Sequence, residues 1–171
     1  MICITLTPAE EITSARVGLA RAESYKTGDV NHRPGYNYSN KYQTYFEVIS
    51  ANIIASGAEI AVARSLGIAN FKPRVNTFKD EPDIDWNGLP IEVKWTSWLA
   101  GHLIIQPSDR DDDVAILCTG TAPDYKVIGY LPIAAAKKTR FLHKSGSYWV
   151  SQINLRPIET ITKSIYANLS I

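Results

Sequence analysis

Cysteine, histidine and methionine are scarce in this chain, at two, three and one among 171 residues. Cys3 and Cys118 lie far apart with no Cys-x-x-Cys pair, and His32, His102 and His143 are scattered, which argues against a zinc site or a stapled framework. Cys118 sits inside an apolar run where a small hydrophobe fits, so free thiols and a cytoplasmic setting are expected. No stretch of about 18 apolar residues occurs, and Met1 to Thr7 lacks a basic leader, so no membrane partner is expected. An excess of one charge is missing too. With 18 Lys and Arg against 17 Asp and Glu the net charge is +1, and a polyanion could be met only by local clustering. There are no internal repeats. The 45% hydrophobic and 20% charged content predicts one ordinary globular domain over residues 1–171, large enough to bury its own core.

Thr7-Pro8-Ala9-Glu10 combines a capping box with proline at the first helical position, which predicts a helix over about 8–26 with Ile12, Ala15 and Leu19 on one face. Residues 28–40 hold Gly, Pro, Asn and Tyr without periodicity and read as a loop, or as an arm that contacts DNA. Tyr42, Tyr45, Phe46, Ile49 and Ile53 recur at helical spacing, with the aromatics expected in the core; this second helix either breaks at Gly57 or runs to Leu66. Strands are expected around residues 71–78, 103–106, 114–119 and 126–131, and Pro132 opens a short Ala-rich helix. The run Asp109-Arg110-Asp111-Asp112-Asp113 reads as a solvated loop. The whole pattern predicts an α/β (α+β) class with a mixed central sheet flanked by helices.

Between two apolar-alternating runs lies Asn87-Gly88, the strongest short hairpin signal. A two-residue type I′ turn there pairs Trp86 with Leu89, Ile84 with Ile91 and Asp83 with Glu92. Alternation then puts Ile84, Trp86, Leu89, Ile91, Val93 and Trp95 on one face, and Asp83, Asp85, Glu92 and Lys94 on the other. Pro90 must occupy a position that donates nothing to the ladder. Carboxylates about 5 Å apart repel by about 3–4 kcal/mol at an intermediate dielectric, which a divalent cation or a shared proton would relieve. An ordinary solvated face, with Lys94 opposite Glu81, is the alternative reading.

Pro82-Asp83 followed by Glu92-Val93-Lys94 resembles the PD-(D/E)XK nuclease superfamily, and the segments 62–67, 114–120 and 129–132 are similar to those of small phage-encoded proteins. The resemblance implies a restriction-endonuclease-like fold and a Mg²⁺- or Mn²⁺-dependent deoxyribonuclease, an endonuclease or an exonuclease acting in recombination, repair or DNA breakdown. It implies Asp83, Glu92, Glu59 and the Val93 carbonyl as metal ligands, with Lys94 beside the attacking water. Glu59 could instead cap a helix through Ser56, and Glu47 is a weaker substitute. Gln106 could reach the same cleft. DNA is the expected partner, met by Lys72, Arg74 and Lys79, with a second basic surface at Lys137 to Lys144 beside Tyr148 and Trp149. That second surface also reads as an ordinary helix end. The setting would be the host cytoplasm for a phage protein, and a homo-oligomer is left open. A catalytically inactive nuclease-fold protein that binds nucleic acid or serves in assembly is the competing function, and an unrelated α/β domain with ordinary surface charges is the third.

Overall fold

A computed structural model describes residues 1–26, 44–75 and 81–163. The predicted mixed sheet is present. In chain order the elements are β1 (Ile2–Thr5), α1 (Pro8–Lys26), α2 (Tyr45–Ser65), β2 (Ile84–Trp86), β3 (Leu89–Thr96), β4 (Leu103–Ile105), β5 (Val114–Thr121), β6 (Asp124–Pro132), α3 (Ile133–Ala136), β7 (Tyr148–Val150) and β8 (Arg156–Pro157). The main sheet runs β1-β6-β5-β3-β2, with β8 also paired to β6, while β4 and β7 form a separate two-stranded sheet. Among the described residues only β3 and β5 pair in parallel; β5 is buried from Val114 to Gly120, as a strand covered on both faces must be.

Two apolar clusters account for that burial. Ile84, Trp86, Leu89, Ile91, Val114, Ile116 and Cys118 meet α2 on one face, with Val93 and Trp95 packed against them. Ala115, Leu117 and Leu131 meet β4, β7 and α3 on the other. The burial of Cys118 pushes its thiol pKa up to about 12, and both cysteines are free. Helix α2 is long and apolar enough to cross a membrane by composition, but half of its apolar stretch is buried within this fold.

The helix starts follow their caps. Glu10 Oε2 accepts the Thr7 N–H at 2.7 Å and Thr7 Oγ1 accepts the Glu10 N–H at 3.3 Å, which begins α1 at Pro8 as expected. Helix α2 is capped by Thr44 and Glu47, which places Glu47 at an exposed helix start. It continues unbroken through Gly57, where a side chain would collide with the ring and hydroxyl of Tyr125. Ser56 is therefore mid-helix, its hydroxyl donating to the Asn52 carbonyl, and the Ser56–Glu59 capping box does not form.

Three further expectations are corrected. Helix α1 docks through Ser14, Gly18, Arg21 and Ala22, leaving Ile12 and Leu19 exposed, because small residues let its backbone approach α2. Phe46 is 75% exposed, and Tyr45 is exposed with its hydroxyl bonded to the Ala22 carbonyl, so neither belongs to the core. Residues 71–75 form no strand; 76–78, Tyr42 and the predicted loop 28–40 lie outside the described residues.

A Cβ at Gly18 would overlap the backbone N and Cα of Ile53. Gly18→Ala should therefore destabilise the fold by about 1–3 kcal/mol, read as a lower urea midpoint at unchanged slope.

Candidate functional site

Asn87 and Gly88 both have positive φ, 53° and 80°, as a type I′ turn demands, and the observed register pairs Ile84 with Ile91 and Trp86 with Leu89. Asp85 Oδ1 accepts the Gly88 N–H at 2.8 Å, so this acid serves the turn. Pro90 faces Asp85, one residue before β3 begins to pair with β5 at Ile91. It interrupts no ladder bond. Beyond Ile84 the second strand stops, and Asp83 Oδ2 replaces a backbone acceptor by taking the Val93 N–H at 2.8 Å. A strand residue points its N–H and C=O to the same side, so the Val93 carbonyl also faces Asp83. Continuing the register would bring Pro82 opposite Val93, and proline has no N–H to offer that carbonyl.

Glu92 and Lys94 share the sheet face of Ala115 and Leu117. Lys94 Nζ lies 2.9 Å from Glu92 Oε1 and 2.9 Å from Asp109 Oδ2. It does not pair with Glu81, which bonds Arg74 instead. The alternative reading of Lys94 thus names the wrong partner. Asp109 does not lie in a solvated run: its carboxylate also accepts the Gln106 N–H at 2.9 Å, and Asp113 is buried against Arg110. Lys137 Nζ donates to the carbonyls of Pro107 and Asp109 and pairs with Asp111, tying the 107–111 turn to the end of α3. These bonds order most of the run. Sequence spacing gives no sign that Asp109 reaches Lys94, fifteen positions earlier; only the return of the chain through β4 does so.

No family model matches this chain, and no curated protein or solved structure matches it.

Glu59 lies buried on α2 and receives both Nη atoms of Arg21, at 2.7 and 3.0 Å, while Arg21 also donates to Ser56 and to the Arg74 carbonyl. This bidentate pair commits Glu59 to α1, although its charge is still felt by Asp83, and Glu59 in turn feels the charge of Glu92. Burial raises the Glu59 pKa despite Arg21. Burial also pushes the Asp83 carboxyl well up, and the charges of Glu92 and Glu59 push it further, against the Val93 N–H and Lys94. For Lys94, burial would favour the neutral amine, but Glu92 and Asp109 outweigh it and hold the ammonium form. With Asp83 ionised, the carboxylates of Glu59, Asp83, Glu92 and Asp109 face two cations, Arg21 and Lys94. Two negative charges remain, which is the charge of one divalent ion.

Among the described residues no three His, Cys, Asp or Glu side chains converge as a ready cage. The donors here are two carboxylates, Asp83 and Glu92, and the Val93 carbonyl. Such a hard, incomplete oxygen set suits Mg²⁺, which keeps several waters and borrows ligands from a phosphate substrate. Of the expected DNA contacts, Lys72 and Arg74 are exposed, Arg74 being paired with Glu81 and Lys72 making no contact with the acidic group; Lys79 lies outside the described residues. Gln106 contributes its backbone to the site through Asp109.

Two measurements follow from the charges. Arg21→Met should cost about 3–5 kcal/mol by stranding buried Glu59, and Arg21→Met/Glu59→Leu should recover most of it in denaturant titrations. In EDTA, the native state keeps the Asp83 proton above about pH 3.9, where the unfolded chain loses it. Stability relative to Asp83→Asn should therefore fall as pH rises from there through the raised native value, read as a shrinking difference in urea midpoints.

Proposed function

We propose that this protein is a Mg²⁺- or Mn²⁺-dependent deoxyribonuclease of the PD-(D/E)XK type. The observation that carries the reading is the meeting of Asp83 and Glu92, near enough for the charge of Glu92 to raise the Asp83 pKa, beside the Lys94 ammonium 2.9 Å from Glu92. Asp83, Glu92 and the Val93 carbonyl would hold the ion. An ion bound there supplies Lewis-acid polarisation of a phosphodiester and makes water a better nucleophile at neutral pH.

The chain's own groups do the rest. Lys94 stays protonated, so it acts as a fixed positive charge that orients water and offsets negative charge growing on phosphate, and it is no general base. Asp109 is a positioning residue: it holds Lys94 together with Glu92 and is itself held by the Gln106 N–H. Arg21 pairs with Glu59 in the interior, which leaves Glu59 out of the metal's ligand set. The bond between Lys94 and Glu92 also favours a second reading, in which the site is self-neutralised and the protein binds nucleic acid without cutting it.

Cleavage separates the two. Purified protein should convert plasmid or linear DNA to shorter products with Mg²⁺ and not with EDTA, and Asp83→Asn should abolish this. Lys94→Met should slow it by about 10²–10³-fold, and Asp109→Asn by less. Mn²⁺ binding followed calorimetrically should release protons, because Asp83 must ionise, and should tighten as pH rises. Strand binding without turnover under all these conditions would favour the inactive protein.

A further inference from the structure

Beyond Thr96 the chain leaves β3 into a tight loop that presents Trp98, 62% exposed, to solvent. The loop is rigidly held: the Gly101 N–H donates to the Trp98 carbonyl at 2.9 Å, and Gln152 Nε2 donates to the carbonyls of Leu99 and Gly101 at 2.8 and 3.0 Å. Gly101 is required there, since a Cβ would overlap the Thr96 side chain and the Trp98 carbonyl. Trp98 is the first of a row of four rings. Its centroid lies 6.4 Å from that of His102, His102 lies 5.8 Å from Trp149, and Trp149 stacks on His143 at 4.3 Å with 24° between planes. Trp149 Nε1 is fixed by Ser147 Oγ at 3.0 Å, and the Trp149 ring remains 36% exposed. Ordered aromatic rings held open to water are costly for a core and useful for stacking.

The two stretches of chain that carry these rings differ in charge from the acidic run 109–113 between them. Residues 125–158 contain six Lys and Arg and no Asp or Glu, and residues 95–108 contain no charged residue at all, in a chain whose net charge is only +1. Lys137 is spent on the 107–111 turn, but Arg140 and Lys144 are exposed and pair with no carboxylate among the described residues. Exposed Trp98 and part-exposed Trp149, on the same surface segment as the exposed cations Arg140, which lies over the Phe141 ring, and Lys144, have the chemistry of a site for unpaired bases on a phosphate backbone. Chain reach puts Trp98 within about 14 Å of Lys94, four residues earlier.

We propose that Trp98, His102, His143 and Trp149, with Arg140 and Lys144, form a stacking platform for single-stranded nucleic acid, delivering an unpaired strand to the site at Lys94. Delivery rests on the nuclease reading; binding does not. The test uses the whole protein in EDTA with a fluorescein-labelled dT12, the matching rU12, and a blunt 12-base-pair duplex, read by anisotropy and by quenching of tryptophan emission. A single strand should bind at least tenfold more tightly than the duplex, whichever sugar it prefers. Trp98→Ala, at an exposed loop tip that cannot unfold the core, should weaken that binding about 5- to 100-fold. Arg140→Ala and Lys144→Ala should each lower the salt slope by about one. Equal or tighter duplex binding, unchanged binding by Trp98→Ala, or a self-associated state that Trp98→Ala dissolves without altering strand binding would overturn the platform. Cleavage with Mg²⁺ by a protein whose Trp98→Ala variant binds normally would fail the platform alone; strand binding lost in Trp98→Ala without any cleavage by wild type would fail the nuclease reading alone.

Discussion

Lys94 held between Glu92 and Asp109, with Asp83 crowded alongside, is the interaction on which the rest of this structure turns. Each ion pair is individually modest at a partly open position, but the group as a whole carries more negative than positive charge. A fold meets such a deficit by protonating an acid, by importing a cation, or by paying repulsion. The raised Asp83 pKa is the first response in the isolated chain, and a divalent ion is the second. The same arrangement therefore explains how the acids are tolerated while Asp83 is protonated and why the site would bind metal more strongly as Asp83 ionises.

The scaffold makes that crowding by a short chain of local causes. Positive φ at Asn87 and Gly88 fixes the hairpin register, and Pro82 ends the second strand's hydrogen bonding. Asp83 then takes over the Val93 N–H. On the other side, the tie between Lys137 and the 107–111 turn steadies Asp109 against Lys94. Arg21 crosses from α1 to neutralise Glu59, so the long buried helix α2 can carry an acid through an otherwise apolar segment. Removing Arg21 or the Lys137 tie would change the electrostatics of the site without touching the atoms that would hold a ligand.

Much of this was legible in the residues because it is local. The hairpin from Ile84 to Ile91, its apolar face and the capped start of α1 depend on neighbours within about ten positions and form as the spacing predicts, whereas the expected pairing of Asp83 with Glu92 lies beyond the observed ladder, because Asp83 turns its carboxylate to the Val93 N–H. The alternation of Ile2 and Ile4 with Cys3 and Thr5 is an equally local signal for β1. Other features depend on contacts far along the chain. The buried face of α1 is chosen by Gly18 against Ile53 and by Arg21 against Glu59, partners that helical periodicity cannot name, so the larger apolar side chains point outward. Asp109 looked like one acid in a solvated run because its partner is brought to it by tertiary structure. The four-ring row joins a loop after β3 to a strand some fifty residues later, and only the pairing of β4 with β7 aligns them.

The central claim is that the excess negative charge at Asp83 and Glu92 is a place for one divalent cation. The most direct measurement is an anomalous difference map from crystals grown with Mn²⁺. A single peak bridging the carboxylates of Asp83 and Glu92, within ligand distance of the Val93 carbonyl, is the predicted result. Clean density with no peak there, Lys94 still bonded to Glu92 and Asp83 still bound only to the Val93 N–H at saturating Mn²⁺, would contradict it.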